Sequence, residues 1–287
     1  MKEVLVLSGK GGTGKTTITA ALACLLEQPL ALVDADVDAS NLPLLLSPRL
    51  EKERPFYAGW EPVREAERCS ACGLCREKCR FGAIGEDLSF DLLSCEGCGV
   101  CAWFCPEEAL EMREKQVGHV FLSQTKYGPL VHAELLPGEE NSGKLVSEVK
   151  RWGREVAQEG GAKLILVDGA PGVGCPVMAS FSGADLVLMV AEPTLSGLHD
   201  LKRLNALVEH FRVPGYLILN KADLAPDFFP AVRQAAQSFL LLGEVPYDED
   251  VPAAIHEARP LPEVSQGKAT RALVQIAQRL QKILEEV

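Results

Sequence analysis

A chain of 287 residues, 47% of them apolar, can bury one large core or two modest ones, and its composition is that of a folded protein, not a disordered one. A formal net charge of −11 argues against a broad electrostatic grip on nucleic acid or anionic lipid, which rests on clustered Lys and Arg. No apolar run reaches the roughly 18 to 20 residues of a membrane span, and the first residues enter a strand pattern instead of a signal peptide. A cytoplasmic protein without membrane or nucleic-acid partners is expected, and in that reducing compartment the ten cysteines read as metal ligands instead of disulfides.

The first predicted element is a strand, Val4-Leu5-Val6-Leu7. Gly9-Lys10-Gly11-Gly12-Thr13-Gly14-Lys15-Thr16 follows it, fits G-x-x-x-x-G-K-[ST], and runs into a helix-prone stretch from Thr17 to Glu27. Strand, loop and helix stand in the order a phosphate-binding loop requires. Its N–H groups would close around phosphates with the helix N-terminus behind them, Lys15 would reach the β and γ phosphates, and Thr16 would ligate Mg²⁺. Nucleotide contacts are expected from Gly9 through Thr17. A second strand, Leu30-Ala31-Leu32-Val33, ends in the acidic run Asp34-Ala35-Asp36-Val37-Asp38.

From about Gly59 to Arg113 the α/β rhythm stops, which predicts an inserted domain over 59–113 between the two parts of an α/β domain, 1–58 and 114–287. Cys69, Cys72, Cys75 and Cys79 have C-x₂-C-x₂-C-x₃-C spacing, and Cys95, Cys98, Cys101 and Cys105 repeat it with Pro106 following. That is the run of bacterial two-cluster ferredoxins, in which the fourth cysteine of each run serves the other cluster. One [4Fe–4S] cluster is therefore expected on Cys69, Cys72, Cys75 and Cys105, and another on Cys79, Cys95, Cys98 and Cys101. Structural zinc is disfavoured, because Cys₄ zinc sites use separated C-x₂-C pairs. Arg80 stands where the first run would carry proline, a change that alters charge and removes no ligand.

Val117 to Leu136 reads as a hairpin turning at Tyr127-Gly128-Pro129, before three more apolar strands at Leu164–Val167, Leu186–Val190 and Tyr216–Leu219. Continuous apolar strands alternating with amphipathic helices predict an α/β fold with a doubly wound, mostly parallel sheet and ligands beyond its carboxyl strand ends. Asn220-Lys221-Ala222-Asp223 matches the N-K-x-D pattern of GTPases, which sets a guanine reading against an adenine one. Cys24 reads as packing on the first helix, and the stretch from Thr270 to Val287 as a helix packed on the sheet.

The form GKGGTGKTT, with Lys10 just after the first glycine, resembles the deviant Walker A of the MinD/ParA/Mrp ATPases. With the cysteine runs inserted, the chain resembles the members of that superfamily that contain a ferredoxin domain, over nearly its whole length. The resemblance implies Mg-dependent hydrolysis of ATP, slow and stimulated by a partner, in a nucleotide-dependent homodimer. It gives Lys10 a reach to the partner subunit's phosphates, Asp36 the placing of the attacking water, and Asp168 of Asp168-Gly169-Ala170-Pro171-Gly172 a hold on Mg²⁺ with Thr16 and Asp36. Asn220 would contact adenine, which favours ATP over GTP. Ala170 departs from the family's usual first proline.

ATP-gated electron transfer in iron–sulfur or metallocofactor metabolism, with a redox or cluster-accepting protein partner, is the leading expectation. The alternatives are a cluster scaffold or carrier, although no C-x-x-C follows Cys105, and a positioning ATPase with ferredoxin as redox sensor. Cys175, seven residues after Asp168, stands near the place of a cluster-ligating cysteine in the nitrogenase iron protein. It is expected to be either a small packing thiol or a dimer-face thiol.

Overall fold

Short apolar runs without polar alternation need cover on both faces, and in the computed structural model they have it: Val4 to Leu7 are fully buried. The structure describes residues 1–139, 142–236 and 239–286. In chain order the elements are β1 (Lys2–Ser8), α1 (Lys15–Leu25), β2 (Leu30–Asp34), α2 (Leu42–Leu46), β3 (Arg49–Arg64), α3 (Leu74–Lys78) and α4 (Val100–Trp103). β4 (Leu110–Thr125), β5 (Gly128–Leu135), α5 (Ser142–Glu159), β6 (Leu164–Pro171), α6 (Cys175–Ser180), β7 (Leu186–Ala191) and α7 (Leu195–Phe211) come next. β8 (Gly215–Asn220), α8 (Phe229–Ala235), β9 (Leu240–Val245), α9 (Asp250–His256), α10 (Leu261–Val264) and α11 (Lys268–Glu286) complete the chain.

Among the described residues the sheet has nine strands in the order β3-β4-β5-β2-β6-β1-β7-β8-β9. From β5 to β9 every neighbouring pair is parallel. β1 lies between β6 and β7, so successive crossovers from the centre run to opposite sides and open a crevice at the carboxyl ends. The fold is thus α/β with a mostly parallel sheet. β4 and β5 form the expected hairpin, but its two-residue connection is Lys126-Tyr127, and Gly128 and Pro129 already belong to β5. The Thr125 hydroxyl sets this turn by accepting from the Tyr127 N–H (3.1 Å) and donating to the Gly128 carbonyl (2.7 Å).

The chain divides into two compact units. The larger comprises Met1–Arg54, Val120–Glu134 and Ser142–Val287; the smaller comprises Pro55–His119 with Leu135–Asn141. In the larger unit one sheet face, with Val4, Val6, Leu32 and Leu166, packs on Ile18 and Leu22 of α1 and on Leu273 and Ile276 of α11. The last helix therefore packs on the sheet as expected. On the other face α5 lies against β2, where Gly153 allows a close approach because a Cβ there would overlap Val33 Cγ2. Lys150 of α5 is buried and pairs with Glu3 (2.6 Å) and with the carbonyl of Ser180, the last residue of α6. Burial lowers the Lys150 pKa while Glu3 opposes the shift. Among the described residues no helix is long and apolar enough to cross a membrane.

The smaller unit has a thin apolar core. Ala83, Ile84, Leu88, Ala109 and Val117 are its most buried apolar side chains. A unit of this size needs a staple besides such a core.

Alanine in place of a helical glycine adds about 1 kcal/mol in an open helix interior. At Gly153 the opposite sign is expected: Gly153→Ala lowers stability by about 1–3 kcal/mol in urea unfolding through overpacking on Val33, and Val33→Ala in the same chain restores part of it. A midpoint at or above that of the parent would mean that α5 has room to spare.

Candidate functional site

β1 ends at Ser8 and α1 begins at Lys15, so the six intervening residues must turn the chain back over the strand end. A cavity of about 710 Å³ opens there. Its wall includes Gly11, Gly12, Thr13, Gly14, Lys15, Thr16 and Thr17. Gly9 and Lys10 lie outside it, and Gly9 packs against Asp200 of α7. Farther from the loop the wall is apolar, with Val245, Val251, Leu261 and Leu273 from β9, α9, α10 and α11. One end thus offers N–H groups and a lysine, and the other suits a flat, weakly polar ring.

Under the loop three strand-end carboxylates face one ammonium. Lys15 Nζ lies 3.0 Å from Asp168 Oδ1 and 3.7 Å from Asp36 Oδ2. Asp168 is fully buried and also accepts hydrogen bonds from the hydroxyls of Thr16 (2.7 Å) and Thr19 (2.8 Å). Asp34 is fully buried too, and it accepts from the Asp36 N–H (3.0 Å), the Ser40 hydroxyl (2.8 Å) and the Leu42 N–H (3.0 Å). Its carboxylate therefore shapes the loop that presents Asp36. Asp34 marks itself only by its spacing to Ser40 and Leu42.

Burial and the neighbouring Asp168 push Asp34 up to about 7, and burial pushes Asp36 up to about 6 against the pull of Lys15. Lys15 is raised as well: burial works against its charge, but Asp168, Asp36 and Asp34 outweigh it. Three carboxylates against one lysine leave negative charge uncompensated. Hard oxygen donors at Thr16, Asp36 and Asp168 suit Mg²⁺, which keeps several waters and takes only one or two carboxylates.

Lys10 folds back within its own chain, paired with Glu192 and donating to the Ser196 hydroxyl (2.9 Å). Glu192 also meets Lys221 (3.2 Å), and its pKa falls although burial opposes this, because both lysines hold the anion. Lys221 takes a left-handed φ of 53° and donates to the Gly12 carbonyl (3.2 Å). Sequence reading missed this bridge, whose parts are 182 and 211 positions from Lys10 and carry no shared motif. Asn220 Nδ2 donates to the Thr13 carbonyl (2.7 Å), and Asn220 lines the cavity. Asp223 does not line it: its carboxylate accepts from the Tyr247 N–H (2.6 Å) and pairs with Lys268 (2.9 Å). The aspartate of N-K-x-D is thus committed to the protein and not offered to a guanine edge.

The eight cysteines of the two runs line two further cavities of about 20 Å³ each, above the roughly 10–15 Å³ a single water takes. Cys69, Cys72, Cys75 and Cys105 surround one; Cys79, Cys95, Cys98 and Cys101 surround the other. Gly73 (φ 73°) and Gly99 (φ 75°) start α3 and α4 in a left-handed turn that brings the following backbone N–H groups beside the thiols of Cys75 and Cys101. Among the described residues no three His, Cys, Asp or Glu side chains converge tightly enough to hold a single metal ion. Cys175 is exposed at the start of α6, beside Pro176 of the nucleotide cavity wall. Cys24 is half-buried near Tyr127, and burial pushes its thiol up.

Residues 4–261 match the family described as the CobQ/CobB/MinD/ParA nucleotide binding domain. The chain is 30% identical over 285 residues to the uncharacterized protein MJ0578 of Methanocaldococcus jannaschii, spanning 98% of this chain and 97% of that protein. A cytosolic Fe-S cluster assembly factor, NBP35 of Eremothecium gossypii, is 38% identical over 76 residues, 25% of this chain and 23% of that protein. The fold is similar to that of the septum site-determining protein MinD with Mg-ADP from Pyrococcus horikoshii, with a TM-score of 0.62 and 18% identity over 98% of this chain and 96% of that one. With its phosphate-binding loop, acidic strand ends and parallel sheet, the chain belongs to the CobQ/CobB/MinD/ParA family of nucleotide-binding P-loop ATPases.

Proposed function

We propose that this protein couples ATP binding and hydrolysis to electron transfer through two [4Fe–4S] clusters carried in its smaller unit. The observation that carries this reading is the sorting of eight cysteines into two cavities of four, each taking three cysteines from one run and the fourth from the other. A zinc ion draws four thiolates to about 2.3 Å from one centre. In a [4Fe–4S] cube each thiolate binds its own iron, so the sulfurs stand apart around a roomier space. The cavities suit the second arrangement, and the thin apolar core of the smaller unit suits an inorganic one. Such clusters supply one-electron chemistry when bound.

At the other site Lys15 grips the β and γ phosphates, and Thr16, Asp36 and Asp168 surround the place for Mg²⁺. Asp36 orients water for in-line attack. Asn220 and the apolar wall receive adenine. Lys10 is held by Glu192 in the single chain, and it turns to the partner's phosphates when two nucleotide-loaded subunits meet as a homodimer. The chain leaves the larger unit through β3, soon after the Asp36 loop, and is back in it through β4 and β5 before the Asp168 strand end. Nucleotide-sensing loops thus bracket the cysteine-rich unit along the chain. A redox protein is the partner this reading calls for.

A second reading, a carrier that hands clusters to acceptor proteins, is favoured by the similarity to the Fe-S cluster assembly factor over about a quarter of the chain. The two readings separate on challenge with an apo-acceptor and ATP. Iron that stays bound fits electron transfer, and iron lost to the acceptor fits the carrier.

Anaerobically purified protein is expected to hold about eight irons with equal sulfide, and to show a broad visible absorbance that bleaches with dithionite. Stoichiometric zinc without sulfide would overturn the cluster reading. Gating is tested by redox titration with and without a non-hydrolysable ATP analogue: midpoints that move with nucleotide fit it, and unmoved midpoints refute it.

Lys15→Ala is expected to abolish nucleotide binding. Asp36→Ala is expected to leave ATP bound and its hydrolysis down by about 100-fold or more, because the first side chain grips phosphate and the second places water. Parental turnover in Asp36→Ala would reassign the catalytic carboxylate.

A further inference from the structure

The two cysteine cages have matching ligands and unlike walls. β3 and β4 lie side by side over both, with Pro62 and Met112 walling the Cys79 set and Arg64 and Leu110 walling the Cys69 set. Strand residues two apart share a face, so Pro62 and Arg64 are equivalent positions over the two cages. One is neutral and the other carries a guanidinium.

Arg64 differs from most cations of its unit. Arg68 pairs with Glu65 and Glu108, Arg76 with Glu86, Lys78 with Glu77, Arg113 with Glu111 and Lys115 with Glu139. Arg64 is half-buried and, among the described residues, makes no salt bridge or hydrogen bond; Asp87 feels it only weakly. A partly buried arginine with only a weak carboxylate influence nearby leaves positive charge for something anionic to meet. The cavity that Arg64 lines is the Cys69 cage.

Hydrogen bonding adds to this asymmetry. The Ala109 N–H donates to Cys105 Sγ (3.3 Å), a fourth-cysteine contact in the Cys69 cage. Each cage also has one exposed carboxylate in its wall, Glu107 in one and Glu96 in the other, and these balance. Arg80 follows Cys79, but it is exposed, stacks on Phe81 at 5.5 Å and does not line the cavity, so solvent screens it. Positive charge and N–H···S bonds both favour the more reduced, more negative cluster and raise its potential.

We propose that Arg64 is the counter-charge of the cluster held by Cys69, Cys72, Cys75 and Cys105, and makes it the electron-holding member of the pair. This rests on the two-cluster reading given above. An electron from an external one-electron donor that enters at the Cys79 set leaves that set oxidised again as it passes to the Cys69 set, which is reduced by one unit. Arg64 keeps it there, and the Cys79 set is the stronger reductant. Arg64 acts as a tuning residue and not as a ligand.

The test is an EPR-monitored reductive titration of the anaerobic, fully loaded protein, with iron and sulfide counted in every variant. The parent is expected to give two one-electron waves. Arg64→Leu and the near-isosteric Arg64→Gln should shift the higher wave toward harder reduction by about tenfold in the equilibrium, about 59 mV for one electron. The lower wave should move by less than half of that. Arg64→Lys should keep most of the parental value, and Arg80→Ala should leave the higher wave in place. Coincident waves in the parent, an unmoved higher wave in both neutral variants at full iron, or a shift produced by Arg80→Ala would each overturn the assignment of Arg64 while leaving the clusters themselves standing. A parent without iron and sulfide would remove the two-cluster reading and this proposal together.

Discussion

Three buried carboxylates gathered around one lysine set the terms for the nucleotide site. Asp34, Asp36 and Asp168 lie at the carboxyl ends of adjacent parallel strands or just beyond them, because β2 and β6 pair in register with Asp34 opposite Asp168. Charges this close in a poorly solvated place cannot all be ionised against a single ammonium at low cost, which is why two of the carboxyls are driven upward. A dication delivered with a nucleotide would relieve that repulsion, while anionic phosphates would satisfy Lys15. Sheet register thus makes the empty site unfavourable and the Mg-nucleotide complex the natural occupant.

The smaller unit shows the complementary constraint, too little apolar surface instead of too much charge. Its cages are made by two short helices that each begin at a left-handed glycine and carry one cysteine to each cavity: α3 contains Cys75 and is followed by Cys79, and α4 contains Cys101 and is followed by Cys105. That crossing of cysteines ties the two halves together, so neither cage can form without backbone from both runs. The symmetry is broken on the strand wall, and between the last two cysteines of each run, where Arg76, Glu77 and Lys78 stand opposite Ala102, Trp103 and Phe104.

How much of this was readable beforehand follows from how local each signal is. The β1 loop, the acidic strand ends and the cysteine spacings are contiguous motifs with one physical reason apiece, and the structure gathers the loop, Asp36, Asp168 and Asn220 around one cavity or its floor. β9 was not among the expected strands although Phe239 to Leu242 is an apolar run as long as those that were; the Gly243 that ends that run is required by Ile276 of α11, far along the chain. β3 was not seen either: most of its residues are exposed and charges run through its first half, so neither alternation nor a continuous apolar run marks it. The bridge from Lys10 through Glu192 to Lys221 and the use of Asp223 to hold Tyr247 are tertiary facts. Each side chain reads as an ordinary loop charge until the fold brings its partner near.

The grip of Lys150 on the carbonyl end of α6 bears on how the segment after Asp168 can move. Lys150 is itself fixed by Glu3 on the central strand, so the Ser180 end of α6 is pinned to the sheet by a buried ion pair. The opposite end starts at an exposed Cys175, three residues after Gly172 with its φ of 89°. A helix of six residues, about 9 Å long at 1.5 Å per residue, separates that fixed end from the thiol. Cys175 is thus the part of α6 farthest from the pinned end, and it lies against Gly143 at the start of α5.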